Sequence, residues 1–158
     1  MLLLGHIGIT AFIAGLIYMP LSGMILGVLL PDIIDKSLFF LGIAPCSRFI
    51  AHTIFFFPLA GLLTYAITKN KKLAFAVTLG IMLHLVEDLH DSVPFLYPLK
   101  NYAFLSTCGF GVSFSGYFIV TEVIGAALLL FMAFFNSQYL YIRKLLWDFI
   151  IRFFRGNK

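Results

Sequence analysis

Ionisable side chains are scarce in this chain, and those present recur where apolar runs begin or end. His6, Asp32, Asp35, Arg48, His52, His84, Glu87, Asp88 and Glu122 all fall inside or at the edge of hydrophobic segments. Placing such groups in an apolar medium is costly, so each needs a chemical reason to be there. Spacing supplies part of one. His84 and Asp88 are four residues apart, as are Arg48 and His52, and Asp32 and Asp35 are three apart, so on helices each pair shares a face. Imidazoles and carboxylates converging from several helices form a donor set for a borderline-to-hard divalent ion, zinc or manganese before magnesium. Three histidines with three aspartates exceed the needs of one structural zinc. One ion with open positions, or two ions, suits that number of donors. Plainer roles compete at single positions. His6 alone can be a packing histidine, and Asp32 after Pro31 can cap a helix. Arg48 can snorkel. Glu87 can pair with Lys36 or Arg48 as readily as bind metal, and Glu122 can support a ligand or be one.

The elements that must position these groups are apolar. The chain has 158 residues, 61% hydrophobic and 11% charged, against about 25% charged in an ordinary soluble domain. A 17.7 kDa globule cannot hide that much apolar surface, and the mean hydropathy of +1.02 points to lipid as the solvent. Disorder, a coiled coil, a disulfide scaffold and a cytosolic enzyme are disfavoured. The net charge of +4 is gathered in short clusters without a basic stripe interleaved with aromatics, so no nucleic-acid partner is expected. The expected fold is all-α and polytopic, with a transmembrane domain over 1–137. About five hydrophobic segments compose it: Leu3 to Met19, Ser22 to Leu30 with a continuation past Pro31 to about Leu41, Arg48 to Thr68, Leu73 to His90, and Tyr117 to Phe135. None alternates at period two, which disfavours a β-barrel. No Lys or Arg precedes Lys36, so a signal peptide with a basic n-region is not expected.

Residues 138–158 differ. On a helix Lys144, Asp148, Arg152 and Arg155 fall in one arc, and Leu145, Leu146, Trp147, Phe149, Ile150 and Phe153 fill much of the rest. This pattern predicts a basic amphipathic helix in the membrane interface, with a helix packed on a partner protein as the alternative. The cluster Lys69 to Lys72 and this tail hold most of the positive charge. Both are cytoplasmic if the two segments between them each span once, which puts the N-terminus outside a cell (inner) membrane and the C-terminus inside. All the ionisable groups then reach the outer side. At a rise of ~1.5 Å per residue, Asp32 lies roughly 15 Å and His84 ~16 Å above the inner ends of their segments, and His52 and Glu122 lie about 6 and 7 Å below the outer ends of theirs. Unrelated polar residues would not share a depth.

At these residues the chain resembles a known family. His6, Leu29-Leu30-Pro31-Asp32-Ile33-Ile34-Asp35-Lys36, Arg48-Phe49-Ile50-Ala51-His52-Thr53, Gly80-Ile81-Met82-Leu83-His84-Leu85-Val86-Glu87-Asp88 and Pro94-Phe95-Leu96-Tyr97-Pro98-Leu99 occur in the order found in the YdjM-type membrane-bound metal-dependent hydrolases. The resemblance covers residues 6 to about 99. It implies a divalent metal held by His6, Asp32, Asp35, His52, His84 and Asp88. The better-known form reads Pro-Asp-x-Asp-His and His-Arg-x-x-x-His-Ser; here the carboxylates are one residue further apart, Lys36 replaces a histidine, and Ser47 precedes Arg48.

The expected function is therefore a metal-dependent hydrolase of an ester or phosphoester, with a membrane lipid head group as partner and substrate. Arg48 and Lys36 are candidates to bind a phosphoryl oxygen, with Glu87 and Glu122 as further catalytic candidates. The alternative is a divalent-metal or proton transporter, disfavoured because the polar groups form one layer without a path to the other side. Oligomeric state is not legible. Cys46 and Cys108 fall in outer loops where a disulfide is chemically permitted, but nothing in the sequence brings them within bonding range. The topology has a direct check. In intact cells, a cysteine placed at Lys71 should resist an impermeant thiol reagent while one at Asn101 reacts; the reverse pattern overturns the orientation.

Overall fold

Small residues on the inner helix faces set how the elements meet. A Cβ on Gly27 would strike the Val77 carbonyl, and one on Gly80 would strike the Met24 carbonyl. A Cβ on Gly8 would collide with the Gly125 backbone, and one on Gly125 with the Leu4 carbonyl. Backbone therefore lies directly on backbone along two seams.

The computed structural model describes residues 3–106 and 116–155, apart from the side chains of 136–138 and 152–155. Among the described residues all regular structure is helical: α1 (Leu3–Leu16), α2 (Leu21–Phe40), α3 (Phe56–Thr68), α4 (Lys71–Glu87), α5 (Gly116–Phe134) and α6 (Asn136–Arg155), with 3-10 turns at Ile50–His52 and Ala103–Ser106. The packing order is α5, α1, α2, α4, α3, with the broadest contact between α2 and α4. Short connections join α1 to α2 and α3 to α4. Tyr18, at φ 58, turns the chain after α1 ahead of Pro20, and Lys69, at φ 54, ends α3. The Asn70 side chain then caps α4 by accepting from the Leu73 amide at 3.1 Å. The alternation brings the start of α1, the end of α2, the end of α4 and the start of α5 to one end of the bundle.

Two boundaries depart from expectation. Pro31 does not divide α2; the helix runs through it to Phe40, leaving the Gly27 carbonyl without its usual i+4 donor. The apolar run from Arg48 to Thr68 is not one helix. Helix α3 begins only at Phe56. Thr53 is extended, at φ -100 and ψ 156, and the Ile54 amide, which a helix from Arg48 would direct to the Ile50 carbonyl, donates to the Phe95 carbonyl at 2.9 Å. The Phe49 and Ala51 amides donate to the Asp35 carboxylate at 2.6 and 3.0 Å. Arg48 and His52 consequently do not share a helical face. Cys46 is buried and disulfide-bonded; Cys108, the chain's other cysteine, lies outside the described residues.

The outer surfaces of these helices are apolar. Leu62 is 68% exposed, Ile67 80%, Val123 61% and Phe134 78%, far beyond the scattered apolar residues of a soluble surface. By length and composition one described helix, α5, could cross a membrane unaided, while α1 and α3 are apolar but shorter. The tail does form a helix, and α6 packs on α1 and α5. The Tyr139 hydroxyl donates to the Phe12 carbonyl at 3.2 Å, the Arg143 guanidinium lies 4.2 Å over the Tyr18 ring, and Trp147 packs on that same ring. The side chains of Arg152, Phe153 and Arg155 lie outside the described residues.

The α2–α4 seam can be probed at its closest point. Gly80→Val should destabilise the folded protein by at least about 1–3 kcal/mol, the usual cost of forcing carbon into a packed interior, read as a lowered midpoint of thermal unfolding in detergent.

Candidate metal centre

Three of the six helices and the connection after α2 bring their polar residues to one place. His6 comes from the second turn of α1. Asp32, Asp35 and Lys36 come from the last turns of α2, His52 from the 3-10 turn, and His84, Glu87 and Asp88 from the end of α4. His6, Asp35, His52, His84 and Asp88 are almost completely buried, and Asp32 partly so.

Each histidine has a fixed orientation. His52 Nδ1 donates to Asp35 Oδ2 at 2.7 Å, and Asp35 is held in turn by the Phe49 and Ala51 amides. His6 Nδ1 donates to Glu87 Oε2. In both rings the carboxylate engages Nδ1 and leaves Nε2 turned inward, the arrangement by which proteins present imidazole to a metal. His84 stacks on His6 with ring centroids 4.3 Å apart, and its Nε2 faces His52 Nε2 at 3.1 Å.

The inward-facing atoms surround a common point. His52 Nε2 lies 3.6 Å from Asp32 Oδ1 and 3.9 Å from Asp88 Oδ2. His84 Nε2 lies 3.7 Å from Asp88 Oδ2, and His6 Nε2 3.6 Å from Asp88 Oδ1. Donors bound at about 2.1 Å to one tetrahedral or octahedral ion sit about 3.0–3.4 Å apart. The observed separations are slightly wider than that and too long for direct hydrogen bonds. Two overlapping groups could hold an ion, His6 with Asp32 and His84, and His52 with His84 and Asp88. His84 belongs to both, so the geometry describes one site with five candidate donors more readily than two separate sites.

Two further observations favour a cation. His6 Nε2, one of the inward-facing atoms, is a buried nitrogen without a hydrogen-bond partner, an arrangement expensive to maintain unless something else accepts its lone pair. Charge is also unbalanced. The carboxylates of Asp32, Asp35, Glu87, Asp88 and Asp91 are met by two fixed cations. Lys36 binds Asp32 at 2.6 Å, and Arg48 bridges Asp88 at 3.0 Å and Asp91 at 2.7 Å. The connection after α2 feels this field outside the helices. Burial alone would depress His52, but the nearby Asp32 carboxylate and the hydrogen bond to Asp35 raise its pKa above the ordinary value. Burial works against Arg48 in the same way, and Asp88 and Asp91 raise it. A field that retains protons favours other cations too.

The candidates thus separate by what they touch. His6, His52, His84, Asp32 and Asp88 converge. Asp35 lies beside them, yet its oxygens are engaged by two amides and His52, which makes it the support of His52 and not a donor to the central point. Glu87 is the support of His6. Glu122 does not join the cluster: its oxygens accept from the Leu4 and Gly5 amides, both at 3.1 Å, closing the open N-terminus of α1. Arg48 and Lys36 stand at the partly exposed margin, each committed to a carboxylate. Sequence reasoning missed two residues. Tyr117 donates its hydroxyl to the Glu87 carbonyl at 2.8 Å and stacks on His90, tying the end of α4 to α5. Thr10, whose buried hydroxyl has no partner, is one turn beyond His6, a spacing that could have drawn attention to it. Comparison with known proteins finds no matching family model, no similar curated protein and no similar solved structure.

The supporting carboxylates can be tested apart from the donors. His84→Ala should abolish stoichiometric metal in protein purified without chelator. Asp35→Asn should keep the fold and weaken metal affinity by about 10–100-fold, the usual effect of losing the partner of a metal-binding histidine, as read by competition with a chromogenic chelator.

Proposed function

We propose that this chain is a polytopic membrane protein that hydrolyses an ester or phosphoester at the outer membrane face, using one divalent ion held by His6, Asp32, His52, His84 and Asp88. The observation that carries the reading is the pair of histidines anchored through Nδ1 by Asp35 and Glu87, with their Nε2 atoms directed at two further carboxylates. Donors from elements far apart in sequence meet there, and the meeting point lies next to partly exposed cations. The ordered motifs shared with the YdjM-type hydrolases support the same assignment. Apolar helix exteriors support several membrane crossings, with α1 and α3 shorter than a straight span. A disulfide at Cys46 suits an oxidising outer compartment, in keeping with an outside N-terminus and the lysine turn on the cytoplasmic side.

A divalent ion at this place supplies Lewis acidity and lowers the pKa of water toward neutrality. The chain's own residues do the rest. Asp35 and Glu87 hold the ring orientations of His52 and His6. Arg48 keeps Asp88 in place through Nε and reaches Asp91 through Nη2. Its remaining N–H groups, on a side chain 26% exposed, are the donors that an incoming phosphoryl oxygen meets first. Lys36, bound to Asp32 one helical turn away, offers a second positive charge at the same margin. Outer-leaflet lipid head groups present an ester and a phosphoester at this depth, which makes them the preferred substrate class.

Metal content and hydrolysis of labelled phospholipid should be measured together in proteoliposomes. Wild-type protein should contain metal and turn over, and His84→Ala should lose both. Arg48→Ala should keep its metal and lose turnover by about 1.5–3 kcal/mol of transition-state binding, the worth of a charge-assisted hydrogen bond. Arg48→Lys should recover part of it, because a lysine lacks the planar fork. Wild-type protein without stoichiometric metal overturns the reading. Metal flux without hydrolysis replaces it with the transporter.

A further inference from the structure

The end of the bundle opposite the metal centre has a feature that hydrolysis does not use. A groove of about 410 Å³ lies between α3 and α4, lined by Gly61, Leu62, Tyr65, Ala74 and Phe75, with Lys71 at one end. It falls within the volume range of small-molecule sites. Thr78, also in its wall, donates its hydroxyl to the Ala74 carbonyl at 3.0 Å, so that polar atom is already engaged. From Lys71 to Thr78 the groove follows two turns of α4, about 10 Å. Lys69, Lys71 and Lys72 are exposed at the turn where it begins, and no described ion pair uses them. Thirteen residues, roughly 20 Å of helix, separate Lys71 from His84, so this site is distinct from the metal centre.

An apolar slot running inward from an unpaired basic turn matches a molecule with one anionic end and one hydrocarbon end. We infer that the groove seats an acyl chain of an anionic phospholipid, with its phosphate at Lys71 and the neighbouring lysines. The inference rests on the membrane reading but not on hydrolysis. Charge complementarity selects the occupant. A zwitterionic head group cancels its own attraction for lysine, and the clustered basic residues sit where an anionic leaflet surface would lie.

Native mass spectrometry of detergent-purified protein, supplied with equal phosphatidylglycerol and phosphatidylcholine, tests this. One phosphatidylglycerol should stay bound at collision energies that strip phosphatidylcholine. Lys71→Gln should lower its retention about fivefold, the worth of one lysine near an anionic surface. Leu62→Gln, a polar change at an exposed position within the groove, should lower it while leaving the thermal midpoint unchanged. Lys144→Gln on α6 should have no such effect. Equal retention of both lipids, or equal loss in the Lys144 and Lys71 variants, overturns the proposal in favour of diffuse surface attraction. The membrane reading is scored separately by carbonate extraction: protein released into the aqueous fraction overturns it whatever the lipid result.

Discussion

Of the six carboxylates at one end of an apolar bundle, five cluster around only two side-chain cations, and most of the structure follows from how that imbalance is accommodated. An ionised carboxylate away from water must be paired or hydrogen-bonded. Asp35 meets the requirement with two backbone amides and a histidine, which ties the connection after α2 to the end of that helix. Glu87 meets it through His6, which ties α4 to α1. Asp91 meets it through Arg48. Asp32 and Asp88 also have cation partners, yet their remaining oxygens face three histidines, and that residual negative potential is what a divalent ion would neutralise.

Such a cluster requires its helices to hold still, because an error of about 1 Å in donor position is enough to spoil a metal or catalytic site. The glycine seams provide that precision. Gly27 and Gly80 bring α2 and α4 into backbone contact only one to two turns below Asp32 and His84, and Gly8 with Gly125 does the same for α1 and α5 beside His6 and Glu122. Glu122 and Tyr117 then fix two helix ends: Glu122 closes the start of α1, and Tyr117 ties the end of α4 to α5. Glu122, a catalytic candidate by type, thus serves the scaffold that aims the histidines, together with Tyr117, which sequence reasoning missed.

What was legible in the sequence, and what was not, divides along the same line. Helix existence followed from hydropathy, a local property, and the placing of His6, Asp32, His84 and Asp88 at one end of the bundle followed from where they stand along their segments; His52 reaches the same place from a turn and not from the helix expected there. The separation of donor from support did not follow, since it depends on which neighbour each carboxylate reaches first. Asp35 and Asp32 are both aspartates on one helix, and only the folded loop shows that Asp35 faces the Phe49 and Ala51 amides. The Arg48 and His52 spacing misled for a related reason: four residues imply a shared face only where a helix exists, and here the Ile54 amide is taken by the distant Phe95 carbonyl. The bond at Cys46 was equally out of reach, as no local pattern reports a distance across the chain.

The two ends of the bundle are chemically opposed. Of the seven acidic residues in the chain, all but Asp148 lie at the end where α1 begins and α4 stops, whereas Lys69, Lys71, Lys72, Arg143 and Lys144 lie at the other, near the α3–α4 turn and along α6. A chain that only needed solubility would intersperse the signs. Separation on this scale gives the molecule a direction. Under the proposed topology, in which basic residues next to apolar helices stay on the cytoplasmic side, the histidine–carboxylate centre and the Cys46 disulfide would share the opposite, oxidising side. The proposed orientation and the oxidising surroundings that suit the Cys46 disulfide thus rest on one charge pattern, with the polar centre at the end that carries the carboxylates.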